Sequence, residues 1–233
     1  MISKLDRSSS KENIMPFDYK KEYKELYSPK MTPSIITVPK MQFVAVRGMG
    51  DPNEKEGEYA RALQLLYGIS YTIKMSHRSK NPADHIEGYK EYVVPPLEGL
   101  WWMEDGKGGY GMDYSRKHDF QWISMIRLPE FVTAESFSYA ANSFATKHPE
   151  AKTENAFLFD YDEALVAQVL HKGPYDDEPA TVSKLDSYAQ EQGYRVDFGD
   201  NRHHHEIYLS DPRRAKPENL RTIIRHPVTL ASH

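Results

Sequence analysis

The chain of 233 residues contains no cysteine. That absence excludes a disulfide framework, a thiolate metal centre and a cysteine nucleophile. Long apolar runs are missing too. None approaches a membrane span, and the opening MISKLDRSSSKENIMPF has no signal-peptide core. Nor does one sign of charge prevail, since 30 Lys and Arg stand against 34 Asp and Glu, a formal net charge of −4. So near a balance offers no broad basic field for a nucleic-acid backbone. The expectation is a soluble cytoplasmic globular protein, monomeric by default, with no direct nucleic-acid or membrane partner.

Aliphatic residues are also scarce. Apolar residues make up 39% of the chain and mean hydropathy is −0.71. What is present instead is aromatic: 16 Tyr, 9 Phe and 3 Trp, too many for a solvating, disordered sequence. Tyrosine is polar on hydropathy scales yet carries a large apolar ring that can wall a site for flat ligands. Where those rings point is the question the sequence poses.

Residues 1–17 are polar and read as a frayed segment, with one domain over 18–233. In DYKKEYKELY, Tyr19, Tyr23 and Tyr27 recur at i, i+4 and i+8 and predict a short amphipathic helix. SIITV and QFVAVR are β-branched and read as strands. Gly48, Gly50 and Pro52 then turn the chain into a helix with Leu63, Tyr67, Tyr71 and Lys74 on one stripe. EYVV, PPLEGLWWM and DFQWISMIRLP predict strands, and Thr133 caps a helix over 133–147. The second half repeats the order: ALVAQVLHKGPY as strand and turn, a helix closed by Gly193, then HHHEIYLSDPRR and LRTIIRHPV as strands. Asp160, Asp162 and Glu163 read as a solvated acidic turn.

This repetition predicts an α+β fold of two duplicated β-α-β-β units, about 34–128 and 156–228, related by a pseudo-twofold axis. They would form a curved antiparallel sheet, or open barrel, around a central cleft. Glu98 and Glu206 fall in matching third elements, so both carboxylates are expected in that cleft. Alternation places His204, Glu206, Tyr208 and Ser210 on one face, with His205, Ile207 and Leu209 on a face suited to helix packing. A carboxylate in an aromatic box is pushed up by burial and pulled down by hydrogen-bond donors; it can hold a cation or activate water. It can equally be a structural group tied to a tyrosine. His203, His204 and His205 lack a metal-ligand spacing and read as a buried or edge cluster, so no metal and no cofactor are expected.

Five strings in order, DYKKEYKELYSPK, LYGISYTIKMS, PPLEGLWW, LHKGPYDDEP and HHEIYLSDPRR, resemble the GyrI-like small-molecule-binding family, best its stand-alone bacterial branch. The resemblance implies a planar aromatic small molecule as ligand. It further implies that Glu206 activates water to hydrolyse cyclopropanoid DNA-alkylating genotoxins, or alternatively that the chain sequesters drugs without turnover or protects gyrase by binding it. On that likeness Tyr71 would be catalytic beside Glu206 and would stack on the substrate with Trp102 and Tyr67, while a tyrosine hydroxyl would donate to the substrate carbonyl. Trp102, Tyr67, Glu98, Tyr208, Trp101 and Tyr110 would line the substrate site. Tyr110 and Tyr114 lie in a Gly-rich tip over 104–117 that reads as a lid or a loose hairpin. Where many relatives carry Gly-Cys, this chain has Glu163-Ala164, a change expected to touch the core more than the site.

Overall fold

Runs of β-branched and aromatic residues become nine strands in the computed structural model, which describes residues 15–104, 112–199 and 202–231. The first half supplies β1 (Ser34–Val38), β2 (Met41–Met49), β3 (Leu97–Trp102) and β4 (Gln121–Arg127). The second supplies β5 (Ala156–Tyr161), β6 (Ala164–Lys172), β7 (Tyr194–Val196), β8 (His204–Tyr208) and β9 (Arg221–Leu230). Five helices accompany them among the described residues: α1 (Tyr19–Glu22), α2 (Lys24–Tyr27), α3 (Glu58–Met75), α4 (Ala134–Lys147) and α5 (Glu178–Glu191).

The strands form one open antiparallel sheet in the order β1-β6-β9-β8-β3-β4-β2-β5, with β7 added to β9. Read from either end, that order is the same: each half contributes an inner trio, and its first strand crosses to the other half. β1 pairs with β6, and β5 pairs with β2. The duplication anticipated from the sequence is thus laid out around the central β3–β8 pair. The strand-to-helix turns match as well, for Gly50 and Gly173 both hold positive φ, 118° and 137°, which side-chain-bearing residues resist.

Helices α3 and α5 lie on one face of the sheet. α3 buries Leu66, Ile69 and Ile73 against Val44, Trp122 and Ile126. Each of these aliphatic side chains contributes about 1.5–3 kcal/mol on burial. α5 buries Leu185 and Ala189 against Ala167, Val169 and Ile224. α4 joins the halves and packs on α3; it starts as expected at Thr133, which shares a reciprocal capping box with Ser136. The opposite face is covered by α1 and α2, where Tyr19, Leu26 and Tyr27 meet Phe43, Leu100, Met125 and Ile207.

The structure departs from the sequence expectations in four places. The tyrosine-spaced helix is two single turns broken at Tyr23 (φ −108°, ψ 62°), with Tyr19 and Tyr27 buried and Tyr23 outside. EYVV is no strand: Phe17 bridges Tyr92 alone, and Pro95-Pro96 follows without N–H groups to continue a ladder. AFLFDY and Tyr194–Val196, which the sequence reading passed over, are strands. Glu163 in the acidic turn is buried rather than solvated, and Ala164 after it is left-handed at φ 56°. Residues 1–14, the first part of the frayed segment, lie outside the described residues.

Candidate functional site

The β3–β8 ladder decides which side chains meet. Gly99 pairs with Glu206 and Trp101 with His204, so Gly99, Trp101, His204, Glu206 and Tyr208 share one face. Glu98 pairs with Ile207, and Leu100 with His205, on the other. One expectation is corrected by this register. Glu98 and Glu206 project from opposite faces, since it is Gly99 and not Glu98 that meets Glu206. The face carrying His205 and Ile207 packs on α1 and α2, as its apolar alternation suggests, and the face carrying Glu206 lies on the side of α3 and α5.

On the helix side, Glu206 sits at the foot of an aromatic wall and is 7% exposed. The Tyr208 hydroxyl donates to its Oε2 at 2.6 Å, and His204 Nε2 lies 3.0 Å from its Oε1. The Trp101 indole N–H donates in turn to the Tyr208 oxygen at 2.9 Å. Gly99 makes this approach possible, because a Cβ there would stand 2.6 Å from the indole nitrogen. The Tyr59 ring packs 5.4 Å from Trp101, and Tyr175 meets Tyr208 edge-on at 5.8 Å. Tyr59 comes from the first turn of α3, and Tyr175 from the turn leading into α5.

Electrostatics follow from that packing. Burial alone would raise the Glu206 carboxyl, but His204, the Tyr208 hydroxyl and Glu178 hydrogen-bond to it and hold it below the ordinary carboxylate value. Burial, with the Glu206 charge behind it, pushes Tyr208 well up and Tyr175 to about 12. The carboxylate is therefore ionised, and the tyrosines protonated, through the neutral range.

Glu178 opens α5 directly over this group and is buried. Ligand atoms of Glu178, His204 and Glu206 lie within 4.8 Å of one another, and these are the residues that could hold a cation. Glu206 and His204 already commit their polar atoms to each other, to Tyr208 and to His226, a pattern suited to a hydrogen-bonded network. Behind His204, its Nδ1 lies 2.8 Å from His226 Nε2, and His226 Nδ1 lies 2.5 Å from Asp186 Oδ1.

The other predicted residues are distributed differently. Trp102 is on the opposite face, stacked 4.1 Å from His203 with Arg47 over its ring. Glu98 is fully buried there beside Tyr27 and His205. Tyr67 stands on the exposed side of α3 near Asp211 and Arg213, at the rim. Tyr71, 51% exposed, is not among the groups that act on Glu206. Tyr110 falls outside the described residues. The sequence reading missed Tyr59, Tyr175, Glu178, Asp186 and His226. Of these, Tyr175 and Glu178 stand in the KGPYDDEP string, where a turn next to a strand carrying Glu206 was the available signal.

The opposite face carries a second buried polar cluster. His205 Nδ1 lies 2.7 Å from Glu163 Oε1 and its Nε2 3.1 Å from Glu98 Oε2. Arg225 donates to Glu163 at 2.9 Å and to the Leu26 carbonyl at 2.7 Å. Gln168 donates to the Glu25 carbonyl at 2.9 Å. These bonds clip α2 to the sheet, so Glu163 supports the fold rather than the cleft.

Residues 31–229 match the GyrI-like small molecule binding domain, and the chain belongs to that family. An uncharacterized conserved protein from Listeria innocua is 42% identical, with a TM-score of 0.84 over 91% of this chain and all of that one. A hydrolase from Listeria innocua is 41% identical, with a TM-score of 0.80 over the same shares. The EcmrR C-terminal domain, at 13% identity, shares the fold with a TM-score of 0.50 over 86% of this chain and 98% of its own. Among curated proteins no significant match is found. No helix among the described residues is long and apolar enough to cross a membrane.

Proposed function

We propose that the face between α3 and α5 binds planar aromatic small molecules, and that Glu206 activates a water to open a strained three-membered ring, as in cyclopropanoid genotoxins. The observation that carries this reading is an ionised carboxylate held at the foot of a wall of Tyr59, Trp101, Tyr175 and Tyr208. Flat rings stack on such a wall, and the carboxylate meets whatever reactive carbon they present. The hydrolase from Listeria innocua, similar over its whole length, supports the hydrolytic part of the reading.

The step balances as a hydration. Glu206 takes a proton from water as the water oxygen bonds to the ring carbon. The cyclopropane carbon–carbon bond breaks, and its electron pair flows through the conjugated dienone to the carbonyl oxygen. That oxygen, now phenolate, takes a proton from a tyrosine hydroxyl or from solvent. Tyr59 and Tyr175 are better placed for that donation than the exposed Tyr71. Aromatisation and release of ring strain supply most of the driving force, so one base in a dry, shaped site suffices.

Incubation with a cyclopropanoid should yield a ring-opened product heavier by one water. Glu206→Gln should lower turnover by roughly 10²–10⁴-fold while ligand binding persists. Unchanged turnover in that variant would sink the mechanism. Tight binding without product in the wild type would favour sequestration instead.

A further inference from the structure

We infer that Asp186 and His226 are positioning residues for the base: they fix the ring protons of His204 so that it stands against Glu206 as an imidazolium. The inference rests on the reading of Glu206 as the group that activates water. It gives a part to two side chains whose own hydrogen bonds do not reach that carboxylate.

The geometry is a chain of three contacts. Glu206 Oε1 meets His204 Nε2 at 3.0 Å, His204 Nδ1 meets His226 Nε2 at 2.8 Å, and His226 Nδ1 meets Asp186 Oδ1 at 2.5 Å. Every contact needs one proton between its two heavy atoms, because facing lone pairs at these distances repel. Two neutral imidazoles bring one proton each, and two carboxylates bring none. The chain therefore holds one proton more than the neutral rings supply, and each proton stays within its own contact.

Where each proton lies follows from the two ends. Asp186 is a carboxylate that reaches solvent, its side chain 39% exposed, and it has only lone pairs to offer. His226 must turn its Nδ1–H toward it, which fixes the tautomer of a ring that is 2% exposed. At the inner end Glu206 also accepts from Tyr208 and Glu178 and is held below the ordinary carboxylate value, so the proton of that contact lies on His204 Nε2. The middle proton has two places. On His226 it would make that ring the cation; burial lowers His226 despite Asp186 beside it, and the charge of His204 lowers it further. The middle proton therefore lies on His204 Nδ1, and the neutral His226 presents its Nε2 lone pair as the acceptor.

This arrangement serves the proposed reaction. A flat ligand on the aromatic wall takes water away from Glu206, and burial of that kind pushes a carboxylate toward its neutral form. An imidazolium 3.0 Å away opposes the push and keeps the base charged when it is needed. A buried imidazolium needs acceptors for both its N–H groups, and His226 supplies the second where water does not reach, since His204 is also 2% exposed. The remaining neighbours do not do this. Glu178, Tyr59 and Tyr208 face Glu206 from α5, α3 and β8; Trp101 stands across the ladder from His204; Phe198 meets His226 edge-on at 4.8 Å.

The test uses the full chain with ¹⁵N-labelled histidine at pH 7 without ligand, the signals of His204 and His226 being assigned by their loss in His204→Gln and His226→Gln. His204 should carry protons on both ring nitrogens, and His226 on Nδ1 alone. A singly protonated His204 in the wild type would overturn the inference. His226→Leu, which removes the acceptor, should leave His204 singly protonated, whereas His226→Gln, whose amide oxygen can accept in place of Nε2, should keep both protons. Asp186→Leu should let the His226 proton spread over both nitrogens; a proton that stays on Nδ1 would overturn the role given to Asp186. In turnover, His226→Leu should move the acid limb of the pH–rate profile up by about 1–3 pH units with KM at pH 7 within about twofold, and His226→Gln should bring the limb back. A merely structural His226 would lower stability and leave the limb in place, and that result also overturns the inference. If the ring protons lie as stated but the wild type opens no cyclopropanoid, the proposed reaction fails while the assignment of the protons stands.

Discussion

Tyr208 holds Glu206 in its charged state: its hydroxyl donates to the carboxylate at 2.6 Å while the Trp101 indole fixes the phenol oxygen from behind. Ionised through the neutral range, Glu206 should give a pH–rate profile that is flat there and falls only below the ordinary carboxylate region. Removing the phenol in Tyr208→Phe takes away a donor that favours the charged form, so the acid limb should move to higher pH. The Trp101 N–H loses its acceptor at the same time, a cost of about 1–3 kcal/mol in stability. Rates measured from pH 3 to 8 check the first part and urea unfolding the second. An acid limb that stays in place would remove Tyr208 from the electrostatics of the base.

Gly99 is the hollow into which the site is folded. Its built Cβ would lie 2.6 Å from the Trp101 indole nitrogen and 3.4 Å from the Tyr208 hydroxyl. Gly99→Ala must therefore displace an indole that is only 4% exposed. The expected outcome is a loss of about 1–3 kcal/mol from overpacking, with weaker binding of planar ligands as the wall tilts. Thermal unfolding and titration with a fluorescent planar ligand measure the two effects. Unaltered binding would show that the Trp101–Tyr208 bond does not shape the ligand surface.

Alternation within β8 was legible from HHHEIYLSD alone, and it correctly grouped His204, Glu206 and Tyr208. The order of elements was legible too, because Gly-Pro turns and periodic helices recur in both halves. The register between β3 and β8 was not. A shift of one residue exchanges faces, and nothing local to PPLEGLWW says whether Glu98 or Gly99 meets Glu206. Trp102 and Glu98 were therefore grouped with the cleft when they belong to the other face. Tyr59, Glu178 and His226 reach the site from three separate elements, so only tertiary packing brings them together. Glu163 was read as solvated because acidic turns usually are; its partners, His205 and Arg225, lie 42 and 62 residues away.

That same cluster sets an expectation for stability against pH. Burial would lower His205, but Glu163 and Glu98 overcome it and raise the ring from 6.5 to about 9. A raised folded value means the protonated ring stabilises the fold fully below about pH 6.5, and the gain is lost as pH rises through about 9. Burial would raise Glu163, but His205 and Arg225 hold it at about 2 instead of 4.5. Its contribution is present above pH 4.5 and disappears as pH falls through about 2. The two windows overlap between 4.5 and 6.5, and they share one interaction, so their energies are not summed. The His205 shift corresponds to about 3 kcal/mol. His205→Gln should accordingly be destabilised most at mildly acidic pH, and the gap to wild type should narrow as pH approaches 9. Arg225→Met should cost about 3–5 kcal/mol at pH 6, because it leaves Glu163 buried without its guanidinium and frees the clip on α2. Urea unfolding at pH 5.5, 7.5 and 9 follows both variants. A His205→Gln penalty independent of pH would mean that the ring is neutral in the folded protein and that packing alone accounts for its role.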